Sequence, residues 1–312
     1  MKYIEFVNQL IKEEVSNHEN LVLFGQNISA GSCLGGLTRG ISISDSGKII
    51  NSTNSENSLC GFGFGLMIND VSSIFFMKQL DFLLLGIDHL VNTYNIIRNH
   101  NNNSSFTIFP IVVDNGYQGP QSSLNNFADF CSIARIKGYT ITNKIDAEKI
   151  IHSQLVSPGF RILTVSQRLF KEEIIDPKKL IYVNSENDVF QYSEGNDATI
   201  VCFNFSFPYG QNIVEEMTKI NLTCSLFNVN SSTPTNWEKI IEDVTKTKKL
   251  IVIDDSKSEN LSCYALLADI SNTINLEKKI ILKRNLVNTK WLNPIYDQMD
   301  INFQQVVYDL IH

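Results

Sequence analysis

The amino-acid sequence predicts an α/β protein built from two domains. The chain has 312 residues, which is enough for two domains that each bury a core of their own. Apolar runs of strand length alternate with helical patterns through most of the chain, and this alternation is typical of parallel sheets with crossover helices. A polar, turn-rich segment at residues 183–197 separates two such blocks.

Strands are predicted where short apolar runs, rich in β-branched and aromatic residues, lie between turn residues. They are residues 21–24, 73–77, 107–113, 161–165, 199–203, 223–227, 250–253 and 280–283. Helices are predicted where apolar residues recur at three- and four-residue spacing. They are residues 55–67, 80–97, 146–155, 237–245 and 262–274, together with an amphipathic N-terminal helix in MKYIEFVNQLIKEE.

We interpret residues 183–197 as a linker between two domains. The first domain is predicted over residues 1–185 and the second over residues 190–312. Residues 25–55 are rich in Gly, Ser, Asn and Thr and show little periodicity. A loop of that length inside a domain usually has a function or contacts a partner.

Charge and composition exclude two classes of partner. The net charge of −7 and the pI near 5.3 argue against nucleic acid, which requires a basic surface. The short basic cluster at residues 246–249 is expected to be a solvated helix end. No apolar run approaches the roughly 20 residues needed to cross a bilayer, and the N-terminal helix carries acids. We therefore expect no nucleic-acid or membrane partner and a cytoplasmic location.

The cysteine and histidine pattern predicts no metal site within this chain. The six cysteines are scattered, without a Cys-x-x-Cys pair and without histidines at ligand spacing. We expect reduced, mostly buried thiols. His89, in an apolar helical pattern, is expected to pack in the core or at an interface rather than to bind a metal.

Residues 54–66, NSENSLCGFGFGL, form the most informative segment. The chain has no nucleophile elbow, P-loop, His-Glu-x-x-His motif or dinucleotide fingerprint. Ser55 can cap a helix and Glu56 falls in its first turn, an arrangement that helix capping alone would also explain. A glycine inside a helix costs about 1 kcal/mol relative to alanine, so close backbone approach is expected at three glycines. These are Gly61, Gly63 and Gly65.

In their order, these segments resemble the beta subunit of the 2-oxoacid dehydrogenase first component, of the pyruvate and branched-chain type. This family belongs to the transketolase-like thiamine-diphosphate superfamily. The opening EFVNQLIKEEVSNHENLVLFGQNISAGSCLGGLTRGI is similar to the family's N-terminal helix, strand and glycine-containing loop. Glu56, Gly61 and Gly65 follow at the family spacing.

The resemblance continues through both predicted domains. PIVVDNGYQGPQSSLNNFADF resembles the family's substrate-channel loop, and DVTKTKKLIVIDD resembles a lysine–threonine turn before a core strand. The segment FFMKQLDFLLLGIDHLVNTYNIIR matches the family at four residues. They are Asp81, Phe82, Asp88 and Asn92.

The resemblance implies a fold and a set of roles. The first domain is expected to be a parallel-sheet domain that binds the thiamine pyrimidine, and the second a transketolase C-terminal-like α/β domain. Glu56 would hydrogen-bond the aminopyrimidine ring of thiamine diphosphate and activate the cofactor. Phe82 would stack on that ring. Without the resemblance, its position in an apolar helical pattern would indicate a core phenylalanine. Gln26, where the family usually has an acid, would lie in the same pocket.

The resemblance also implies a partner. In this superfamily, a Gly-Asp-Gly motif with a downstream asparagine holds the cofactor's diphosphate and its Mg²⁺, and no Gly-Asp-Gly occurs in this sequence. We therefore expect thiamine diphosphate and Mg²⁺ to be shared with an alpha-type chain that carries this motif, in an α2β2 heterotetramer. The interface would include four residues of this chain. They are Gly61, Gly65, Asp88 and Asn92.

Two departures from the family pattern affect the expected chemistry. Gln121 and Ser122 line the expected substrate channel, and Ser122 replaces the family's channel histidine. Serine offers only a neutral hydroxyl, which favours a non-oxidative transfer or carboligation over lipoyl-linked oxidative decarboxylation. The strand-to-helix loop at residues 142–146 is shortened where the family often builds a monovalent-cation site, so we expect that site to be absent.

Three function classes are compatible with these features of the sequence. The first is an active beta-type subunit of a thiamine-diphosphate enzyme that makes or breaks a bond next to a carbonyl. The second is a drifted, mainly structural beta-like subunit. The third is the C-terminal half of a split transketolase. Retention of Glu56 and Phe82 favours an active subunit, and the DHLVN and GPQSS segments favour the dehydrogenase-type relatives.

Overall fold

The structure is a computed structural model, and it describes residues 1–99, 103–116, 118–119, 121–231, 235–284 and 299–312. These residues form two six-stranded sheets with helices packed on them. The first half contains, in chain order, α1 (Tyr3–Ser16), β1 (Val22–Gly25), β2 (Lys48–Asn51), α2 (Glu56–Ile68), β3 (Ser73–Met77), α3 (Tyr94–Ile97), β4 (Ser105–Val112), α4 (Phe127–Ala134), β5 (Gly138–Thr140), α5 (Lys144–Gln154) and β6 (Gly159–Ser166). The second half contains β7 (Tyr182–Val183), β8 (Val189–Ser193), β9 (Ala198–Phe203), α6 (Phe207–Lys219), β10 (Cys224–Val229), α7 (Glu238–Thr247), β11 (Lys249–Asp254), α8 (Tyr264–Thr273), β12 (Lys278–Lys283) and α9 (Phe303–Ile311).

The first sheet is parallel throughout and has the order β2-β1-β3-β4-β6-β5. Its central strands β3 and β4 are buried along their whole length, which explains why they read as continuous apolar runs. Aromatic rings fill the space between α2 and the sheet. The ring of Phe106 lies 4.9 Å from that of Phe64 and 5.2 Å from that of Phe160, measured between centroids.

The second sheet is mixed and has the order β12-β11-β9-β10-β8-β7. Strands β9 to β12 are mutually parallel, whereas β8 pairs antiparallel with β10 and with β7. Residues 183–197, predicted as a linker, therefore contain the whole of strand β8. The reason is local: β8 carries the polar residues Gln191 and Ser193, and Gln191 is nevertheless buried together with its apolar neighbours. The domain boundary between residues 185 and 190 remains a prediction.

Two other predictions of local structure were incomplete or wrong. The loop predicted over residues 25–55 contains the edge strand β2 and a short 3₁₀ helix at Leu34–Gly36. The single helix predicted over residues 80–97 is three pieces: a 3₁₀ helix at Leu80–Leu85, a π-helix at His89–Thr93 and α3. The break falls at Gly86, where a β-carbon would lie 2.6 Å from Cys60 Sγ of α2.

Buried polar contacts join the two halves of the chain. Arg168, after β6, donates from Nη2 to Asp255 Oδ2 at 2.8 Å and to the Phe205 carbonyl at 3.2 Å. Asp114, after β4, accepts from Ser166 Oγ at 2.5 Å and from the Arg168 backbone N–H at 2.9 Å. A buried ion pair of this kind favours one relative arrangement of the elements that supply it.

Candidate functional site

The predicted cofactor and channel residues follow successive strands of the first sheet. Gln26 comes after β1, Glu56 after β2, Phe82 after β3, and Gln121 and Ser122 after β4. Because these strands are parallel, their carboxyl ends meet at one edge of the sheet, where α/β proteins bind ligands. The structure therefore brings all five predicted residues to the same edge.

Glu56 is the first residue of α2 and is only 7% exposed. Its carboxylate accepts no hydrogen bond and forms no ion pair with any residue that the structure describes. Ser55 precedes it at the N-cap, but its hydroxyl donates to Ser58 Oγ at 2.9 Å instead of capping the helix. Neither carboxylate oxygen is among the fully buried polar atoms that lack a partner, so the carboxylate reaches the surface at this edge, where a ligand could approach it.

Phe82 lies beside α2 on the 3₁₀ helix Leu80–Leu85. This helix packs against α2, and Gly86 at its end packs closely against the Glu56 carbonyl and the Cys60 thiol. The Phe82 ring is half-buried and contacts the core without being enclosed by it. Burial, helped by the charge of Glu56, raises the pKa of Cys60 to about 12, so this thiol stays neutral beside the carboxylate.

Asp81 is a fully buried acid that connects the Phe82 segment to the channel loop. Burial raises the pKa of Asp81 to about 6, although backbone N–H groups of the loop, at residues 124–126, lower it. Gln121 Nε2 donates to the Asp81 carbonyl at 3.3 Å. In the sequence, Asp81 is recognisable only as a match to the family. An acid between Leu80 and Phe82 in an apolar run was the signal that it is buried.

Ser122 is 9% exposed and lies in the 3₁₀ helix Gln121–Ser123, which packs against Leu80–Leu85. Gln26 is half-buried and begins the loop after Gly25. At Gly25 the chain passes so close to the neighbouring strand that a β-carbon would lie 2.1 Å from the Phe76 carbonyl oxygen. The position of Gln26 is therefore determined by a backbone contact that only glycine permits.

The three glycines of α2 differ in what they face. A β-carbon on Gly61 would lie 2.8 Å from His89 Nε2, and one on Gly63 would lie 2.2 Å from Phe106, whereas Gly65 faces open space. Close approach at Gly61 and Gly63 is therefore explained within this chain. His89, expected to pack or to lie at an interface, is half-buried against Gly61 and bonds Thr93.

The remaining predicted interface residues lie on the surface near α2. Asp88 is exposed and accepts a hydrogen bond from Asn92 Nδ2 one helical turn later. Large apolar side chains are also exposed on α2 and on the helix that carries Phe82. They are Phe62 (42% exposed), Ile68 (53%), Leu84 (46%) and Leu85 (59%). Exposed apolar side chains on both helices, together with the open face at Gly65, suit a protein interface, and the interface assignments remain predictions.

Within the described ranges, no group of three or more His, Cys, Asp or Glu side chains could hold a metal ion. No helix in that part of the chain is long and apolar enough to cross a membrane. The six cysteines are free, and five of them are buried.

The chain has distant sequence relatives along most of its length, although no protein-family model matches it. It is 18% identical over 282 residues to the pyruvate dehydrogenase E1 component subunit beta of Staphylococcus aureus, covering 87% of this chain and 85% of the relative. It is 21% identical over 293 residues to the 2-oxoisovalerate dehydrogenase subunit beta of Bacillus subtilis, covering 91% and 88%.

Solved structures share the fold at still lower identity. A split gene transketolase, described as an inactive beta4 tetramer, has a TM-score of 0.66 and 11% identity, covering 90% of this chain and 88% of its own. The fold is transketolase-like. A transketolase from Campylobacter jejuni gives a TM-score of 0.64 at 10% identity, and the transketolase-like chain spans 42% of its length. The predicted fold class is confirmed, and the relatives support the transketolase-like superfamily without indicating one subunit type.

Proposed function

We propose that this transketolase-like chain is the beta-type subunit of a heteromeric thiamine-diphosphate enzyme, in which Glu56 activates the aminopyrimidine ring. The observation that carries the proposal is the largely buried Glu56 side chain, whose carboxylate has no partner among the described residues and reaches the surface at the carboxyl edge of the parallel sheet. The beta subunits among its sequence relatives support the same assignment.

The residues present fit an aminopyrimidine. Glu56 can share a proton with a ring nitrogen, because its carboxylate has no competing partner among the described residues. Phe82, half-buried on the 3₁₀ helix that packs against α2, offers an aromatic face for stacking. When bound, thiamine diphosphate would supply a nucleophilic carbon that adds to a carbonyl. The task of this chain is to orient the ring and to hold the proton at the Glu56 carboxylate.

The diphosphate and its Mg²⁺ would be bound by a second chain. This sequence has no Gly-Asp-Gly motif, and the described residues offer no acidic cluster for a metal. The partner would be an alpha-type subunit with Gly-Asp-Gly and a downstream asparagine, in an α2β2 assembly. The split transketolase that shares this fold supports the division of labour, because its beta4 tetramer is described as inactive.

Calorimetry tests the proposal. Thiamine diphosphate with Mg²⁺ is titrated into the purified chain, into the chain mixed with its alpha-type partner, and into the same mixture with Glu56→Gln. We expect weak binding to the single chain and tight binding to the mixture. Tight, Mg²⁺-dependent binding by the single chain would contradict the division between two subunits.

For the reaction, we propose a non-oxidative transfer or carboligation. Ser122 lies where the family has a channel histidine, and its neutral hydroxyl offers no positive charge for a carboxylate or for transfer to a lipoyl disulfide. The assembled enzyme should form carbon–carbon bonds from a 2-oxoacid or ketose donor and an aldehyde acceptor. Efficient acylation of a lipoyl domain would overturn this assignment. An enzyme inactive in both assays would instead indicate the mainly structural subunit.

A further inference from the structure

A cavity of about 650 Å³ lies between helix α4 and the carboxyl ends of strands β10 and β11. Helix α4 and the segment that follows it form one wall. The opposite wall contains Ser231, which follows β10, Trp237, which precedes α7, and residues 260–265, which lead from β11 into α8. Ligands of α/β proteins bind outside the carboxyl ends of parallel strands, and this volume is typical of sites for small organic molecules.

The charged side chains that line the cavity favour an anion. Among the described lining residues there are two cations, Arg135 and Lys137, and one acid, Asp129, whereas the whole chain carries a net charge of −7. Lys137 Nζ pairs with Asp188 Oδ2 at 2.8 Å, and Asp129 Oδ2 accepts from Ser258 Oγ at 2.8 Å. Arg135 is exposed, and its guanidinium has no hydrogen bond or ion pair with a described residue. This guanidinium is therefore available to a ligand.

Helix α8 begins at the opposite wall, where Ala265 of its first turn lines the cavity. The helix has no side-chain cap. The first N–H groups of a helix have no partner within the helix, and together with the helix dipole they favour an anion. The start of α8 therefore adds partial positive charge across the cavity from Arg135.

An unsatisfied hydroxyl lies on the same wall. Ser262 lines the cavity just before α8, and its Oγ is buried without a hydrogen-bond partner among the described residues. Buried hydroxyls are nearly always hydrogen-bonded, so a polar group from outside the chain is expected to complete this wall. A hydroxyl can donate to a phosphate or carboxylate oxygen.

Apolar side chains form the rest of the cavity, among them Ile136, Leu261 and Trp237. The Trp237 ring is half-buried and lies 6.1 Å from the ring of Phe203, measured between centroids. A bare ion would leave these side chains without contacts, whereas the organic part of a larger ligand would cover them.

We propose that this cavity is a second binding site, which takes a small organic anion that carries a phosphate or carboxylate group. The Arg135 guanidinium, the first N–H groups of α8 and the Ser262 hydroxyl bind the anionic group, and Trp237 contacts the organic part. None of the described lining residues belongs to the candidate site at Glu56, so the proposal does not depend on the proposed enzyme activity.

Fluorescence of Trp237 tests the proposal. Trp237 and Trp291 are the two tryptophans of the sequence, so Trp291→Phe in the full-length chain leaves Trp237 as the single reporter. Inorganic phosphate and malonate are titrated separately at an ionic strength held constant with NaCl. We expect a saturable change with at least one of them, and the probe that saturates identifies the group that the cavity accepts. No saturable change with either probe would overturn the proposal.

Arg135→Gln should raise the half-saturating concentration on the order of tenfold, because it removes charge-assisted hydrogen bonds to the anion. Arg39→Gln is the matched control, since it removes the same charge from an exposed arginine in the loop between β1 and β2. The control should titrate like the parent chain. An equal loss of affinity in both variants would indicate general attraction to a charged surface and would contradict the proposal.

Hydrogen exchange locates the bound anion independently of Trp237. At a saturating concentration of the probe, the backbone N–H groups of Ala265 and Leu266 should exchange more slowly, because the anion accepts hydrogen bonds from them. A fluorescence change without slower exchange at the start of α8 would place the anion elsewhere and overturn the assignment of this cavity.

Discussion

The ring of Phe106 fills the space in which a β-carbon on Gly63 would lie, with Cζ of the ring 2.2 Å from that position. Phe106 is fully buried on β4 and also packs edge to face against Phe64 of α2. Helix α2, which begins with Glu56, therefore lies closer to the sheet than any side chain at residue 63 would permit. This contact holds α2, whose first residue is Glu56, close to the sheet.

Gly63→Ala should destabilise the chain. The added methyl group would collide with the buried Phe106 ring, and overpacking of this kind typically costs about 1–3 kcal/mol. Gly65→Ala is the matched control, because it faces open space and replaces a helical glycine with a residue favoured by about 1 kcal/mol. Urea unfolding measures both variants, and equal effects would contradict the packing argument.

Gly65→Leu should weaken assembly while leaving the fold of the single chain intact. The added side chain projects into open space among exposed apolar residues, where the interface is predicted. Gly61→Leu would not separate folding from assembly, because the new side chain would first meet His89 of the same chain. Light scattering of the mixture with the alpha-type partner measures assembly, and Glu215→Leu, at an exposed residue of α6, is the control. An unchanged complex would place the interface elsewhere.

Glu56→Gln should lower turnover of the assembled enzyme by about 100-fold or more, since it removes the proton-sharing group and preserves shape. The melting temperature should change little, because this carboxylate has no hydrogen bond within the described residues to lose. Glu215→Gln, at an exposed glutamate, is the control. Wild-type turnover of the Glu56→Gln complex would refute the assignment of Glu56.

Asp81 should make stability fall as the pH rises. Burial raises the pKa of Asp81 from 3.8 to about 6, so the folded chain binds the proton more tightly than the unfolded chain. The stabilisation is complete below about pH 4 and is lost as the pH rises through about 6. Asp81→Asn cannot titrate, so relative to wild type it should gain on the order of 2 kcal/mol between pH 4 and pH 7.

Urea unfolding at both pH values measures the Asp81 effect. Asp45→Asn, at an exposed aspartate, is the control and should follow the wild type. If the unfolding free energies of Asp81→Asn and wild type changed in parallel with pH, the raised pKa of Asp81 would be contradicted.

The buried parts of the fold were the most predictable from sequence. Strand β3 was predicted to its exact residues, because a wholly buried strand leaves an apolar run between polar turns. Strand β2 was missed, since Lys48–Asn51 lies mostly exposed at the sheet edge and carries no such run. The break at Gly86 was missed because it depends on contact with Cys60, a relationship that apolar periodicity along one segment does not record.

The same distinction applies to the site. Glu56 could be selected from sequence because helix position and resemblance agreed, and the structure adds that it is buried and unpaired. The structural roles of Asp81 and Asp146 could not be predicted. Asp81 depends on the loop at residues 124–126, and Asp146 depends on Asn230, which lies 84 residues away in the chain.

Glu56 follows β2, the outermost strand of the first sheet, and three of the four β2 residues are exposed. In the part of the chain that the structure describes, no further strand of this sheet lies beyond β2 on that side of Glu56. In the proposed enzyme, the side of the active site beyond β2 would be formed by another molecule. A chain produced in excess of its partner would then have its activating glutamate in an incomplete active site and would be inactive. The ratio of the two subunits would itself set how much enzyme is switched on.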